Sequence, residues 1–160
     1  MCGRYMVVSS PEAIRRLFGY PEQPNFPPRY NVAPTQPVPV VRMEREPGGE
    51  RKQRHFVLVR WGFLPAWYKT PTDGPLIINA RADTIATKPA FREAVRSRRC
   101  LIPVTAWAEA EGAKGAMTRT WYSLAGEEVF AVAGLWRPTE EWGQAYSMVM
   151  VDGCPQMADV

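Results

Sequence analysis

Sixteen prolines in 160 residues, one in ten, are spread from Pro11 to Pro155 and constrain this chain more than any other feature. Proline offers no backbone N–H and its ring clashes with the preceding helical turn. It also costs a central strand one ladder bond. A helical bundle is therefore excluded, and short strands joined by irregular connections are expected. Residues 11–18 read as a short helix: Ser9 or Ser10 can cap it, Pro11 suits its first turn, and Ile14, Leu17 and Phe18 share one face. Residues 20–29, with four prolines, read as an extended loop. Residues 38–42 and 56–60 read as strands joined through the polar hairpin tip EREPGGERKQ.

Further strands are predicted over 76–79, 100–103, 121–124, 129–135 and 146–151, with AGEE turning between 124 and 129. A second helix is predicted over 88–97, with Ala90, Phe91, Ala94 and Val95 facing inward. Many strands with two short helices predict an α+β fold. It is a single domain over residues 1–160, built on a mainly antiparallel, partly closed, barrel-like sheet.

Twenty Lys+Arg against sixteen Asp+Glu give a net charge of +4, and only four of the cations are lysines. Arginine's planar fork matches phosphate oxygens, so the balance suits a nucleic-acid partner. No apolar stretch approaches the roughly 18 residues that span a bilayer. The opening MCGRYMVVSS lacks the charged segment and long apolar core of a secretory leader, so a cytoplasmic protein without a membrane partner is expected. Cys2, Cys100 and Cys154 are odd in number, widely spaced and without a C-x-x-C pair. Neither a disulfide framework nor a metal site is indicated, and no cofactor is expected. Cys100 and Cys154 read as core residues.

Cys2 is the sharpest chemical feature. Initiator methionine is normally trimmed before a small residue. That would leave an α-amine (pKa about 7.7–8.0) and a thiol (about 8.5) on neighbouring carbons. Such a 1,2-aminothiol condenses with an aldehyde to an imine, and the thiol then closes a five-membered thiazolidine. Two weak nucleophiles thereby trap one electrophile without a second collision. Gly3 and Arg4 place a tight backbone and a cation beside it.

MCGR, RYNVAPT (29–35), RWGFLPAW (60–67), INARADT (78–84), RCLIP (99–103) with a glutamate downstream, and AGLW (133–136) occur in that order. In this the chain resembles the SRAP family, the SOS-response-associated peptidases, over nearly its whole length. The resemblance implies a sensor of abasic sites in single-stranded DNA that cross-links to the open sugar aldehyde through its N-terminal cysteine, with an associated autoproteolytic activity and lyase-type chemistry. It implies Cys2 as nucleophile, Asn79 as the active-site amide, and Glu109 as the carboxylate that moves protons. It also implies DNA contacts at Arg4, Asn31, Pro34, Trp67 and Arg81, with the arginines on phosphates and Trp67 stacking on bases. A monomer acting on single-stranded DNA is expected. Trp61 reads as core.

Three departures from the family pattern stand out. Asp83 replaces a glutamate, Ala106-Trp107-Ala108 stands where the family has a glycine-aromatic-tyrosine run before Glu109, and Ala110 stands where a tryptophan commonly follows. The family's later histidine, in a His-x-Arg-Met-Pro-like stretch, does not occur before Val160, so the domain reads as truncated, with residues 146–151 left as an unpaired edge strand. His55, the only histidine, reads as a surface residue of the basic hairpin. Two other classes compete. An N-terminal-nucleophile amidotransferase also begins Met-Cys-Gly, but no Asn-Gly pair is present for its oxyanion site. A non-covalent single-stranded nucleic-acid binder would need only the arginines and tryptophans.

Overall fold

The computed structural model describes residues 2–140 and 142–155. Among these the order is β1 (Arg4–Val7), α1 (Pro11–Phe18), β2 (Arg29–Val32), β3 (Pro37–Arg45), β4 (Lys52–Trp61), β5 (Asn79–Arg81), α2 (Ala94–Ser97), β6 (Arg99–Val104), β7 (Ala106–Glu111), β8 (Thr118–Tyr122), β9 (Phe130–Thr139) and β10 (Gly143–Met150). The α+β expectation with few short helices holds.

Strands β4-β3-β6-β9-β10 run antiparallel in that order, and β10 returns to β4 in parallel, pairing Ala145 with Arg60 and Tyr146 with Trp61. That last contact closes a five-stranded barrel over two residue pairs only, so the closure is partial. On its flank β5 adds to β10 in parallel, with Asn79 beside Met148. A second sheet, β2-β1-β7-β8, packs against this ring and shares its core. Strand β10 thus has β9, β4 and β5 as neighbours. The expected unpaired edge at 146–151 does not exist, because β4 and β5 come back to cover it.

Helix α1 starts and stops as its sequence dictates. The Ser10 hydroxyl accepts from the Ala13 N–H at 3.1 Å. Gly19, at φ 66°, ends it by donating to the Arg15 carbonyl at 2.8 Å. That left-handed position favours glycine. Ile14 and Phe18 are buried, whereas Leu17, expected with them, is half exposed. The second helix shrinks to Ala94–Ser97, preceded by separate turns bonded from Thr84 and Lys88. The Lys88 carbonyl accepts from the Phe91 and Arg92 N–H groups, both at 3.0 Å, but among the described residues no i→i−4 bond from Glu93 or Ala94 carries that turn on into the helix. Phe91 and Ala94 are still buried as expected.

The two sheets are pinned together by an aromatic trio. The Tyr5 and Tyr146 hydroxyls share a buried 2.8 Å hydrogen bond. Trp61 packs edge-on to Tyr5 and stacks with Tyr146, at centroid distances of 5.2 and 6.3 Å. Its indole N–H donates to the Ile78 carbonyl at 3.0 Å, satisfying the polar end of a fully buried ring. Cys100 is buried as expected, but Cys154 is exposed, because it lies beyond the end of the β10 ladder. His55 is also not a plain surface residue. Glu22, from the proline-rich loop, folds onto β4, reaches His55 Nδ1 at 2.5 Å and accepts the Phe56 N–H at 3.1 Å.

Candidate active site

Cys2 enters the site just ahead of β1, where Arg4 pairs with Ala108 and Tyr5 with Trp107 of β7. The antiparallel run brings the start of the chain against the Glu109 end of β7. From the other side β5 presents Asn79, whose side-chain amide donates to the Cys2 carbonyl at 2.9 Å. The Asn79 Oδ1 is buried and accepts no hydrogen bond among the described residues. Three segments far apart in sequence therefore meet, and the site rests on rigid strands.

Cys2 and Glu109 are both buried, and both line one cavity of about 440 Å3. Its walls include Tyr5, Trp107, Phe130 and Met148. The thiol donates to the Arg4 carbonyl at 3.3 Å. Burial, reinforced by the negative charge of Glu109, pushes the Cys2 thiol up to about 11. At neutral pH the sulfur is therefore a neutral thiol, and a free α-amine at Cys2 would be the stronger nucleophile. Met1, whose removal that amine requires, lies outside the described residues.

The remaining candidates surround this centre. Arg4 donates to the Gly3 carbonyl at 2.7 Å, and its Nε is buried without a hydrogen-bond partner among the described residues. Asn31 is exposed on β2 and Pro34 half-buried just after it. Trp67 is 59% exposed, on a loop that Asp73 organises by accepting the Lys69 and Thr70 N–H groups at 2.5 and 3.0 Å. Arg81 follows Asn79 on β5 but is forked onto Asp83 at 3.2 and 2.9 Å and touches Asp152 at 3.4 Å. So Cys2, Asn79 and Glu109 are brought together, Arg4 and Arg81 stand two residues from the first two, and Trp61 is core. The sequence reading missed the apolar lining, Tyr5, Trp107, Phe130 and Met148; only the strand registers bring them around Cys2. Among the described residues no three His, Cys, Asp or Glu side chains gather as a metal would need.

Residues 1–160 match the family model described as SOS response associated peptidase. The chain belongs to the SRAP family. Among relatives, the abasic site processing protein YoaM of Bacillus subtilis is 32% identical over 148 residues, covering 89% of this chain and 60% of YoaM. YoqW of the same species, also called an abasic site processing protein, is 31% identical over 148 residues, covering 89% of this chain and 61% of its own. The chain thus spans about 60% of the length of these SRAP relatives. A crystal structure of a Bacteroides thetaiotaomicron protein, 20% identical, has a TM-score of 0.78 over 99% of this chain and 72% of that one, and so shares the fold. Among the described residues of this SRAP chain, no helix is long and apolar enough to cross a membrane.

Proposed function

We propose that this chain engages abasic sites in single-stranded DNA and, once Met1 is removed, joins the sugar aldehyde through Cys2. The observation that carries the reading is the convergence of Cys2, Asn79 and Glu109. The nucleophile and a carboxylate share one cavity, and the amide fixes the backbone between them. The names of the relatives, abasic site processing proteins, point to the same substrate.

The α-amine of Cys2 adds to the aldehyde carbon and the carbinolamine loses water to give an imine. The thiol then adds to the imine carbon and its proton passes to nitrogen, closing the thiazolidine. Glu109 is placed to take and return those protons. The same carboxylate can assist water in cleaving the Met1–Cys2 bond, which would be the autoproteolytic step. Asn79 holds the Cys2 carbonyl and leaves Oδ1 as an acceptor for the amine or a sugar hydroxyl. Arg4 and Arg81 supply cations for flanking phosphates, Trp67 a stacking surface, and Asn31 and Pro34 the adjoining rim.

The test is incubation of Met1-free protein, verified by intact mass, with single-stranded DNA carrying one abasic site, followed by a denaturing gel. A detergent-stable adduct that Cys2→Ala abolishes, and that Cys100→Ala and Cys154→Ala retain, is expected. An equally stable adduct from Cys2→Ala overturns the assignment. A purely non-covalent binder is the second reading, favoured by the burial of the Cys2 thiol. It gives a complex on a native gel and no adduct on the denaturing one.

A further inference from the structure

We propose that the cavity beside Cys2 takes small free aldehydes bearing an apolar substituent, which the chain captures as thiazolidines. The inference rests on the aminothiol reading of Cys2 given above. Its basis is a mismatch between the cavity and an abasic sugar. That sugar carries a hydroxyl, with a phosphate at each end, and it gains little from an apolar wall. Yet most of the space next to Cys2 is walled by apolar side chains, among them Trp107, Leu124, Phe130, Val132, Met148 and Met150, with Glu109 and Asp152 as its charged residues. At about 440 Å3 it lies within the range of small-molecule sites, roughly 300–1,000 Å3.

The wall is preformed. Trp107 stacks on Tyr122 at 5.6 Å between centroids and meets Phe130 edge-on at 5.8 Å. A preformed apolar wall lets a ligand bury its tail without first ordering the site. Leu124 is 44% exposed and stands at the mouth. Cys2 and Glu109 supply the reactive groups, so an aldehyde whose tail lies along Trp107 and Phe130 has its carbonyl carbon directed at them. The reaction balances without an oxidant or reductant. The amine adds to the aldehyde carbon, one water leaves as the imine forms, sulfur adds to the imine carbon, and the thiol proton moves to nitrogen.

The test compares hexanal with glycolaldehyde, using Met1-free protein and a reference peptide of residues 2–6, with adducts followed by intact mass. The peptide reports the intrinsic reactivity of the same aminothiol. The protein's hexanal-to-glycolaldehyde rate ratio is expected to exceed the peptide's by about tenfold or more, the discrimination an apolar pocket provides. Leu124→Asp, at the exposed mouth, is expected to cut that ratio at least threefold, a share of the same pocket discrimination. Prior saturation with hexanal is expected to block the DNA adduct. A protein ratio equal to the peptide's, with DNA cross-linking retained, overturns this inference and leaves the DNA reading standing. An unchanged ratio in Leu124→Asp overturns the cavity as the binding place. No adduct with either aldehyde or with DNA overturns the aminothiol reading itself.

Discussion

The side-chain amide of Asn79 donates to the carbonyl oxygen of Cys2 at 2.9 Å, joining the start of one sheet to the strand that flanks the barrel. The donor matters, because the acceptor is a carbonyl. An aspartate at 79 can only accept when ionised, and would set a carboxylate against the Cys2 carbonyl. Asn79→Asp is therefore expected to slow adduct formation by about 10²-fold, the scale of misplacing a reacting group by an ångström. Asn79→Ala is expected to slow it less and to cost about 1 kcal/mol of stability from the lost hydrogen bond. Single-turnover cross-linking and urea unfolding of the two variants check both. Equal rates for Asn79→Asp and the parent would remove Asn79 from the positioning machinery.

The Cys2 thiol, pushed up to about 11, makes a prediction about pH. At pH 7.5 it holds on the order of 10²–10³ fewer thiolates than an ordinary cysteine, partly offset by their greater nucleophilicity. Iodoacetamide is expected to alkylate Cys2 more than tenfold slower than the peptide of residues 2–6, a net of those two effects, with the rate rising toward an inflection near 11. Glu109→Gln removes a charge that disfavours the thiolate, so it is expected to speed alkylation while slowing cross-linking. Opposite signs from one substitution separate its electrostatic from its proton-moving role. The same shift bears on stability. The folded state keeps the proton after the unfolded chain, near 9.0, has released it. Stability is therefore full below about pH 9 and falls as pH rises toward 11. Equilibrium unfolding at pH 8 and 10.5, in the parent and Cys2→Ser, checks the direction.

Much of this fold was legible because local chemistry and tertiary context agree. Ser10 and Pro11 mark the start of α1, and the apolar runs of β3, β4, β6 and β9 are barrel strands. Strand β7 was not legible. Its sequence AWAEAE has poor strand propensity and pairs only because β1 and β8 flank it. The parallel returns of β4 and β5 to β10 also leave no local signature, which is why β10 read as an edge. In the site, Cys2 spoke for itself through the chemistry of an N-terminal thiol. Glu109 and Asn79 were found only through resemblance, since an isolated acid and amide carry no spacing signal. That Asn79 grips the Cys2 backbone follows from register, which a single sequence does not encode.

The two tryptophans of RWGFLPAW are expected to behave in opposite ways. Trp61 is fully buried between Tyr5 and Tyr146. Trp61→Ala leaves a cavity and removes one of the two donors to the Ile78 carbonyl, which keeps the Met148 N–H, so it is expected to destabilise by about 3–5 kcal/mol. Trp67, 59% exposed, is expected to leave the unfolding midpoint unchanged when replaced by alanine. Its loss should instead weaken single-stranded DNA binding by about 1–3 kcal/mol. Thermal unfolding and fluorescence-anisotropy titration of both variants check this. Unchanged affinity in Trp67→Ala would remove the stacking role.

Arg81 gives the prediction in which structure modifies the sequence reading most. Its guanidinium is exposed but already forked onto Asp83, with Asp152 beyond. A phosphate must displace those carboxylates or share the cation with them. Exposed ion pairs contribute little, so the exchange is open to a phosphate, yet the competition is real. Arg81→Ala is expected to weaken single-stranded DNA binding and to lower the salt slope by about 0.7, the share of one phosphate contact. Asp83→Asn frees the fork and removes a repelling charge, so affinity should rise, by about two- to fivefold at low salt, where exposed charges are least screened. If the gain acts through Arg81, it shrinks when Asp83→Asn is placed on the Arg81→Ala background, and a double-mutant cycle reads that coupling directly. A gain of equal size in both backgrounds would mean that Asp83 acts only as a repelling charge. An unchanged salt slope in Arg81→Ala would return Arg81 to a structural ion pair at the end of β5.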